Sequence, residues 1–121
     1  MTWKPDGYTS LAPYLLVPDP LAVLDFCEHA FGATRLRVIR NGDRIEHAEC
    51  RIDDTVLMMG QVEDGPPAMV HLYLPDPDAA FARALDLGAE TVQPMMEKGD
   101  GDRRGGVRTA CGTQWWLARQ V

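Results

Sequence analysis

The sequence has no hydrophobic run long enough to cross a membrane and no cysteine pattern that would cross-link the chain. A membrane-spanning helix needs about 20 consecutive apolar residues, and no segment approaches that length. The three cysteines are an odd number without a CxxC pair, so neither a disulfide framework nor a zinc site is indicated. We therefore expect no membrane insertion and buried, reduced thiols at Cys27, Cys50 and Cys111.

Positive charge is also scarce. Twelve lysines and arginines against eighteen acidic residues give the chain a formal net charge of -6 at pH 7. Such a charge repels a phosphate backbone, so we expect no nucleic-acid partner. The first residues lack the basic, apolar and small-residue segments of a signal peptide, which favours a cytoplasmic location.

The length of 121 residues suits one domain that buries enough apolar surface to fold without disulfides or a structural metal. An apolar content of 45% beside 25% charged residues is typical of a soluble globular protein. We therefore expect a single domain over residues 1–121.

The second half of the chain repeats the first. Four pairs of similar segments follow each other in the same order, 56 to 59 residues apart, and such spacing indicates a duplicated structural unit. We expect unit one at about residues 9–62 and unit two at about residues 67–119. The paired segments are Val17–Ala22 with Leu74–Ala79, Phe31–Thr34 with Leu87–Thr91, Gly42–Arg44 with Gly101–Arg103, and Asp54–Met58 with Gly112–Trp116.

Each repeat carries the signals of a strand, a helix and three further strands. In the first repeat, Asp19 can cap a helix and Pro20 suits its first turn, while Gly32 supplies a left-handed stop. Asn41-Gly42 is a strong hairpin signal. The predicted strands of the first unit are Leu11–Val17, Arg35–Arg40, Glu46–Ile52 and Thr55–Met59.

The second repeat predicts the same order of elements, with a helix over Asp78–Leu87 that stops at Gly88. The stretch Glu97–Gly106 is rich in glycine and charge, which is typical of a mobile surface loop. Arg103 and Arg104, within this loop, could close over an anionic ligand, but loop arginines usually face solvent, and we expect that here. The predicted strands of the second unit are Met69–Leu74, Thr91–Gln93, Gly106–Ala110 and Thr113–Ala118.

Several short motifs accompany this order of elements. They are Pro13–Leu15, Ala30–Ala33, His47–Glu49, His71–Tyr73, Asp78–Ala84, Gly101–Arg103 and Trp115–Ala118. With them the chain resembles the vicinal-oxygen-chelate (glyoxalase/bleomycin-resistance/dioxygenase) superfamily over nearly its whole length, and is most similar to the PhnB-like branch. The resemblance implies an α+β fold of two tandem βαβββ units, which form a half-open mixed β-barrel with the helices on its convex face.

The resemblance does not select one function. Members of the superfamily include glyoxalases, ring-cleaving dioxygenases, epimerases, fosfomycin-inactivating transferases and antibiotic-sequestering proteins, and one fold can carry unrelated activities. Proteins that resemble this family often pair across a two-fold interface, and such dimers are the commonest oligomers. We therefore expect a homodimer.

In metal-dependent members, as the resemblance implies, the first and last strands of each unit supply His and Glu ligands. Counting along the repeats places these positions at Ala12, Met58, Met69 and Trp116. A methyl group, two thioethers and an indole cannot form a hard divalent site, which requires imidazole or carboxylate donors. We therefore expect no metal and no other cofactor, although a slip of the register would bring in His71 as one ligand.

Side chains two apart on a strand point to the same face, which predicts the lining of a pocket. An aromatic and thioether floor for a flat or cationic ligand is one interpretation of these residues, and packing between the two units is the other. The predicted ligand-binding residues are Tyr14, Arg51, Met58, Met69, His71, Tyr73, Gln114 and Trp116.

His47 and Glu49 form the sharpest chemical pattern. A histidine and a carboxylate two apart on one strand face can share a proton and pass it to a ligand, which makes them candidate catalytic residues. They can equally be charge partners of Arg51 on a half-solvated sheet.

The leading hypothesis is a metal-independent protein that binds a small organic molecule. The alternative is a lyase, isomerase or dioxygenase-like enzyme. It would use either a displaced metal held by His47, Glu49 and His71, or His47 and Glu49 as a metal-free acid–base pair. Whether the chain is an enzyme is left open at this stage.

Overall fold

The computed structural model contains the order strand, helix, strand, strand, strand twice. It describes residues 3–121, and the chain divides into a unit that ends at Gly65 and a unit that begins at Pro66. The predicted α+β fold of two tandem βαβββ units is confirmed. The first unit contains β1 (Tyr14–Val17), α1 (Pro20–Phe31), β2 (Thr34–Asn41), β3 (Arg44–Ile52) and β4 (Thr55–Gln61); the second contains β5 (Met69–Tyr73), α2 (Pro77–Asp86), β6 (Glu90–Glu97), β7 (Asp102–Arg108) and β8 (Gln114–Gln120).

Both helices begin at the predicted caps. Asp19 accepts a hydrogen bond from the backbone N–H of Ala22 at 3.2 Å, and Asp76 accepts one from Ala79 at 3.1 Å. A proline follows each aspartate in the first turn, where a missing N–H costs nothing. At the end of α1, Gly32 has a φ of 70°, a left-handed conformation that favours glycine.

The strands of the first unit form one sheet in the order β1-β4-β3-β2. β1 is parallel to β4, with Tyr14 beside Met58, and β3 is antiparallel to β4, with Glu49 on the other side of Met58. Leu15 and Val17 are buried on the face that packs against α1. Tyr14 points to the opposite face because side chains alternate along a strand.

The second unit has the equivalent sheet order β5-β8-β7-β6. Trp116 lies between His71 on β5 and Gly106 on β7. Its neighbours Trp115 and Leu117 are fully buried on the face that packs against α2. Trp116 therefore points to the face away from the helix.

These registers show which positions of the two units correspond. Met58 and Trp116 each lie between the first and the third strand of their unit, and their neighbours correspond in turn. The corresponding pairs are Tyr14 and His71, His47 and Arg104, Glu49 and Gly106, and Met58 and Trp116.

The predicted mobile loop over Glu97–Gly106 is wrong. β6 extends to Glu97 and β7 begins at Asp102, so only residues 98–101 connect the two strands. Two glycines of this stretch, Gly105 and Gly106, have packing roles, since an added Cβ at Gly105 would lie 2.6 Å from the sulfur of Met95 and one at Gly106 would lie 2.9 Å from the Trp116 ring. A side chain at either position would displace its neighbour.

Arg103 and Arg104 are partly exposed, with 34% and 26% of their side chains accessible, and both form ion pairs. Arg103 donates to both carboxylate oxygens of Asp78 at 2.8 and 2.9 Å, and Arg104 donates to three side chains of its own unit. The two arginines of this stretch thus pair with carboxylates on α2 and within the stretch itself.

Some strand boundaries differ from those predicted. β1 begins at Tyr14 and not at Leu11, because Pro13 has no N–H to donate to a sheet. Cys27 and Cys50 are buried as predicted, whereas Cys111 is only half-buried. None of the helices within residues 3–121 is long and apolar enough to span a membrane.

Candidate functional site

Four side chains of the first unit, here called the unit-one network, form a continuous chain of hydrogen bonds: Tyr14, His47, Glu49 and Tyr8. Alternation along β3 puts His47 and Glu49 on one face. The Tyr14 hydroxyl oxygen lies 3.1 Å from His47 Nδ1, and His47 Nε2 lies 2.7 Å from Glu49 Oε2. The Tyr8 hydroxyl donates to Glu49 Oε1 at 2.5 Å. Both carboxylate oxygens of Glu49 therefore have a partner.

Glu49 is a buried carboxylate, with 4% of its surface exposed. Burial opposes its charged form, but the hydrogen bonds from Tyr8 and His47, the positive charge that His47 carries when it is protonated and the charge of Arg37 outweigh that effect and hold the pKa of Glu49 below its ordinary value. Hydrogen bonds to the charged form stabilise it. Glu49 is therefore ionised at neutral pH.

The charge of Glu49 decides the direction of the hydrogen bonds. An ionised carboxylate can only accept, so the Nε2 atom of His47 carries a proton and donates it to the bond with Glu49. In a neutral imidazole the other nitrogen is then an acceptor. When His47 is neutral, the Tyr14 hydroxyl therefore donates to His47 Nδ1.

A short segment before β1 closes this network. The N–H of Tyr8 donates to the carbonyl of Pro5 at 3.3 Å, and Arg51 donates to the carbonyl of Gly7 at 3.0 Å. Gly7 has a φ of 79°, and a Cβ there would lie 2.8 Å from the guanidinium of Arg51. Only glycine suits this close approach, which places Tyr8 over Glu49.

The second unit contains a cavity of about 280 Å³, here called the unit-two cavity. β6, β7, β8 and the connection between β6 and β7 all contribute to it. Its floor is an indole ring and a thioether, and its rim carries two cationic and two acidic side chains. The lining residues are Gln93, Met96, Lys98, Asp100, Asp102, Arg104 and Trp116.

Trp116 is held in one orientation at the floor of the cavity. An added Cβ at Gly106 would lie 2.9 Å from the indole ring, so the glycine allows the ring to pack closely on the backbone of β7. The indole Nε1 donates to Gln114 Oε1 at 3.1 Å. The ring is therefore available as a rigid aromatic surface.

Arg104 holds the polar side of the cavity together. It donates to His71 Nε2 at 3.1 Å, to Asp100 at 2.9 Å and to Asp102 at 2.5 Å. The hydroxyl of Tyr73 also donates to Asp102, at 2.8 Å. One guanidinium thus bridges two carboxylates and offsets one of their two negative charges.

His71 is a neutral acceptor in this arrangement. A guanidinium can only donate, so the Nε2 atom of His71 must carry a lone pair. Desolvation of the ring, followed by the positive charge of Arg104, lowers the pKa of His71 below its ordinary value. At neutral pH its Nδ1 therefore carries the proton.

The structure brings some of the predicted site residues of the first unit together. Tyr14, His47 and Glu49 are directly bonded, and Met58 lies between Tyr14 and Glu49 in the sheet register. Arg51 is not bonded to them and holds the carbonyl of Gly7 instead.

Only some of the predicted site residues of the second unit line the unit-two cavity. Trp116 lines the cavity, and Gln114 holds its indole ring. His71 and Tyr73 do not line the cavity but bind two residues that do. Met69 is 69% exposed at the start of an edge strand and lies outside the cavity lining.

Sequence reasoning missed Tyr8 and most of the cavity lining. Tyr8 precedes the repeat, so no periodic pattern relates it to Glu49. Arg104 had a usable signal, because it corresponds to His47 in the duplication. The remaining missed residues are Gln93, Met96, Lys98, Asp100 and Asp102.

The positions that the resemblance assigns to metal ligands can be tested against the structure. Ala12 precedes β1, Met69 and Trp116 lie on strands of the second unit, and Met58 lies on β4. Within residues 3–121, no three His, Cys, Asp or Glu side chains are grouped closely enough to hold a metal ion. The side chains at the implied positions do not fit a hard divalent cation, because they offer no imidazole or carboxylate donor.

Comparison with solved structures identifies the fold. TioX from Micromonospora sp. ML1 superposes with a TM-score of 0.80 at 24% identity, covering 93% of this chain and 99% of TioX. A glyoxalase/bleomycin resistance protein/dioxygenase superfamily member from Sphaerobacter thermophilus gives 0.73 at 19% identity, covering 90% and 94% of the two chains. The fosfomycin resistance protein FosX of Listeria monocytogenes gives 0.69 at 13% identity, covering 93% of each chain. The chain has the fold of this superfamily.

Sequence comparison gives a closer relationship. No family model matches the chain. An uncharacterized protein of Mycobacterium bovis is 33% identical over 127 aligned positions, which cover 93% of this chain and 84% of the relative. The chain therefore belongs to the same family as this mycobacterial protein.

The bond between Tyr8 and Glu49 leads to a testable prediction about stability. Tyr8→Phe leaves one buried carboxylate oxygen without a donor, so we expect the free energy of unfolding in urea to fall by about 1–3 kcal/mol. Lys4→Gln, which removes a hydrogen bond between surface side chains, is the control and should change stability by less than about 0.5 kcal/mol.

The same variant should alter acid unfolding. Because the folded state lowers the pKa of Glu49, Glu49 stabilises the fold above its ordinary pKa, and this stability is lost as the pH falls through the lowered value. Tyr8→Phe removes one cause of the lowered pKa, so the loss should begin at a higher pH. Equal acid unfolding of both proteins would contradict the assigned bond.

Proposed function

We propose that the chain is a metal-independent protein that binds a small organic molecule in the unit-two cavity. The observation that carries the proposal is the cavity of about 280 Å³ with a fixed indole at its floor. Cavities lined by aromatic surface and a few oriented polar groups are the usual sites for small ligands. The oriented polar groups here are Gln93 and the side chains bonded to Arg104.

A planar ring suits the floor of this cavity. The Trp116 indole is held by Gly106 on one side and by Gln114 at its edge, so it pays little conformational entropy when a ligand stacks on it. Met96 adds a polarisable thioether, which packs well against aromatic rings. We therefore expect a flat, largely apolar ligand.

The charges on the rim favour an anionic group on that ligand. Arg104 is bonded to both Asp100 and Asp102, so its charge is already taken up by these carboxylates. Lys98 donates to Gln93 at 2.8 Å, and it forms no ion pair within residues 3–121. Lys98 is therefore the charge available to a ligand, and a carboxylate is the natural partner of an ammonium group.

The superfamily context agrees with a small-molecule ligand. FosX is a fosfomycin resistance protein, and the solved structure from Sphaerobacter thermophilus belongs to the superfamily named for glyoxalases, bleomycin resistance proteins and dioxygenases. We further propose, on the motifs of the sequence, that the chain belongs to the PhnB-like branch, is cytoplasmic and forms a homodimer.

The first prediction for the cavity concerns Trp116. Titration with 2-naphthoate should quench tryptophan fluorescence and raise the melting temperature, because a ligand that binds the folded state stabilises it. Trp116→Ala should abolish both effects, and Trp116→Phe should retain part of them. Trp3→Ala is the matched control, since Trp3 is 85% exposed and lies outside the cavity. An undiminished shift in Trp116→Ala would overturn the cavity assignment.

The second prediction concerns the charge of the ligand. Wild-type protein should bind 2-naphthoate more tightly than 2-naphthylmethylammonium, by about two- to fivefold for one accessible ion pair. Lys98→Gln should remove this preference, and Lys4→Gln, the only other lysine substitution the chain offers, should keep it. Preference for the cationic probe would show that the two acidic side chains govern the rim.

The third prediction concerns metal. Dialysis against a chelator should leave the affinity for 2-naphthoate unchanged, since the cavity offers no suitable set of donors. Elemental analysis should be made on protein purified without a metal-affinity tag. Stoichiometric zinc, nickel, iron or manganese that disappears in His71→Ala would contradict metal independence.

A further inference from the structure

We propose that Tyr14 is the proton-exchanging end of the unit-one network, and that this network ionises a bound weak acid of the phenol or enol class. The inference concerns the first unit and goes beyond the proposed ligand binding in the unit-two cavity. It adds Tyr14 and Tyr8 to the predicted pair His47 and Glu49 and gives each residue a role.

The hydrogen bonds between Tyr14, His47 and Glu49 all point from Tyr14 towards Glu49. Because His47 donates to Glu49, the lone pair of its Nδ1 atom faces the Tyr14 hydroxyl at 3.1 Å. The hydroxyl has one hydrogen and uses it in this bond. The lone pairs of the Tyr14 oxygen are then free to accept a hydrogen bond from a ligand, so the site selects a donor such as a hydroxyl group.

Access for a ligand also favours the Tyr14 end of the network. Tyr14 is 49% exposed, whereas Glu49 is 4% exposed and the His47 side chain is 21% exposed, so Tyr14 is more open to a ligand than either of them. Leu16, two residues along β1 and on the same face, is 38% exposed and offers apolar surface. An added Cβ at Gly60 would lie 3.2 Å from the Tyr14 hydroxyl oxygen, so this glycine leaves room for the hydroxyl beside β4.

The proposed reaction is a proton transfer from the ligand through Tyr14 to His47. The O–H bond of the ligand breaks as a new O–H bond forms on Tyr14, while the original Tyr14 proton moves to His47 Nδ1. The products are a ligand oxyanion and an imidazolium, so charge and atoms balance and no other reactant is needed. The imidazolium is stabilised by the carboxylate of Glu49, 2.7 Å away, as in other sites where a buried carboxylate orients a histidine base.

Tyr8 is a positioning residue in this scheme. Its bond to Glu49 Oε1 keeps the carboxylate charged and stops it from rotating away from His47. The other charged groups near these side chains are Arg37 on β2 and Arg51 on β3. Both are positive, so they favour the carboxylate and the developing oxyanion.

The test uses 4-nitrophenol, whose phenolate absorbs visible light and whose phenol does not. At a pH one unit below its own pKa, about one-tenth of the free probe is ionised, and we expect more than roughly half of the bound probe to be ionised. The expected result is thus a several-fold rise in phenolate absorption as protein is added. No rise would overturn the proposal.

Variants assign the effect to the network. Tyr14→Phe should abolish the rise, and His47→Gln should still bind the probe but leave it un-ionised. His29→Gln is the matched control, because His29 lies on α1 and bonds to the backbone carbonyl of Asp25. Circular dichroism establishes that each variant is folded.

The outcomes separate this inference from the proposed function. A phenolate signal that survives in Tyr14→Phe but is lost in Lys98→Gln would mean that the probe binds as an anion in the unit-two cavity, which contradicts the role of Tyr14 and supports the cavity. Ionisation that persists in His47→Gln would likewise contradict the relay. Binding of 2-naphthoate is measured separately, and its result supports or contradicts the unit-two cavity alone.

Discussion

The parallel pairing of the first and last strands within each unit is the constraint on which both sites depend. It puts Tyr14 beside Met58 and His71 beside Trp116, on the sheet face that the helix leaves uncovered. The opposite face must be apolar, since it packs against α1 or α2. The polar side chains of both sites therefore lie on the other face of each sheet, where period-two alternation gathers them.

The duplication allows one backbone arrangement to carry two chemistries. His47 and Arg104 occupy corresponding positions, and each bonds to a neighbour on the first strand of its unit. In the first unit the next position along is Glu49, a carboxylate that orients the imidazole. In the second unit it is Gly106, whose missing side chain makes room for the Trp116 ring.

The internal repeat and the helix-capping residues were enough to predict the order of the strands and helices. Asp19 and Gly32 mark the ends of α1 through local hydrogen bonds and backbone geometry, which depend on neighbouring residues alone. The same reasoning failed at Gly105 and Arg103, because their conformations depend on Met95 and Asp78, which lie on other elements. Local composition cannot distinguish a flexible glycine from one that is packed against a side chain.

The candidate sites show the same difference between local sequence signals and contacts between distant elements. Alternation along β3 predicted that His47 and Glu49 share a face, and the structure adds the 2.7 Å bond between them. Tyr8 could not be predicted, since its contact with Glu49 spans 41 residues and no repeat relates them. The lining of the unit-two cavity was hidden for a different reason: half of it lies in the stretch that composition assigned to a loop.

In both sites the charged side chains already have hydrogen-bond partners within the protein. This limits the chemical groups of a ligand that each site can bind. A carboxylate with two donors, as at Glu49, has little left to offer a cation, and a guanidinium with three acceptors, as at Arg104, has little left for an anion. What remains available is the unshared oxygen of Tyr14 in the first unit and the ammonium of Lys98 in the second. A ligand would therefore be selected by these residual groups together with the apolar surface beside them. The acidic groups of both sites already have hydrogen-bond donors, since Tyr8 and His47 bond to Glu49, and Arg104 bonds to Asp100 and Asp102.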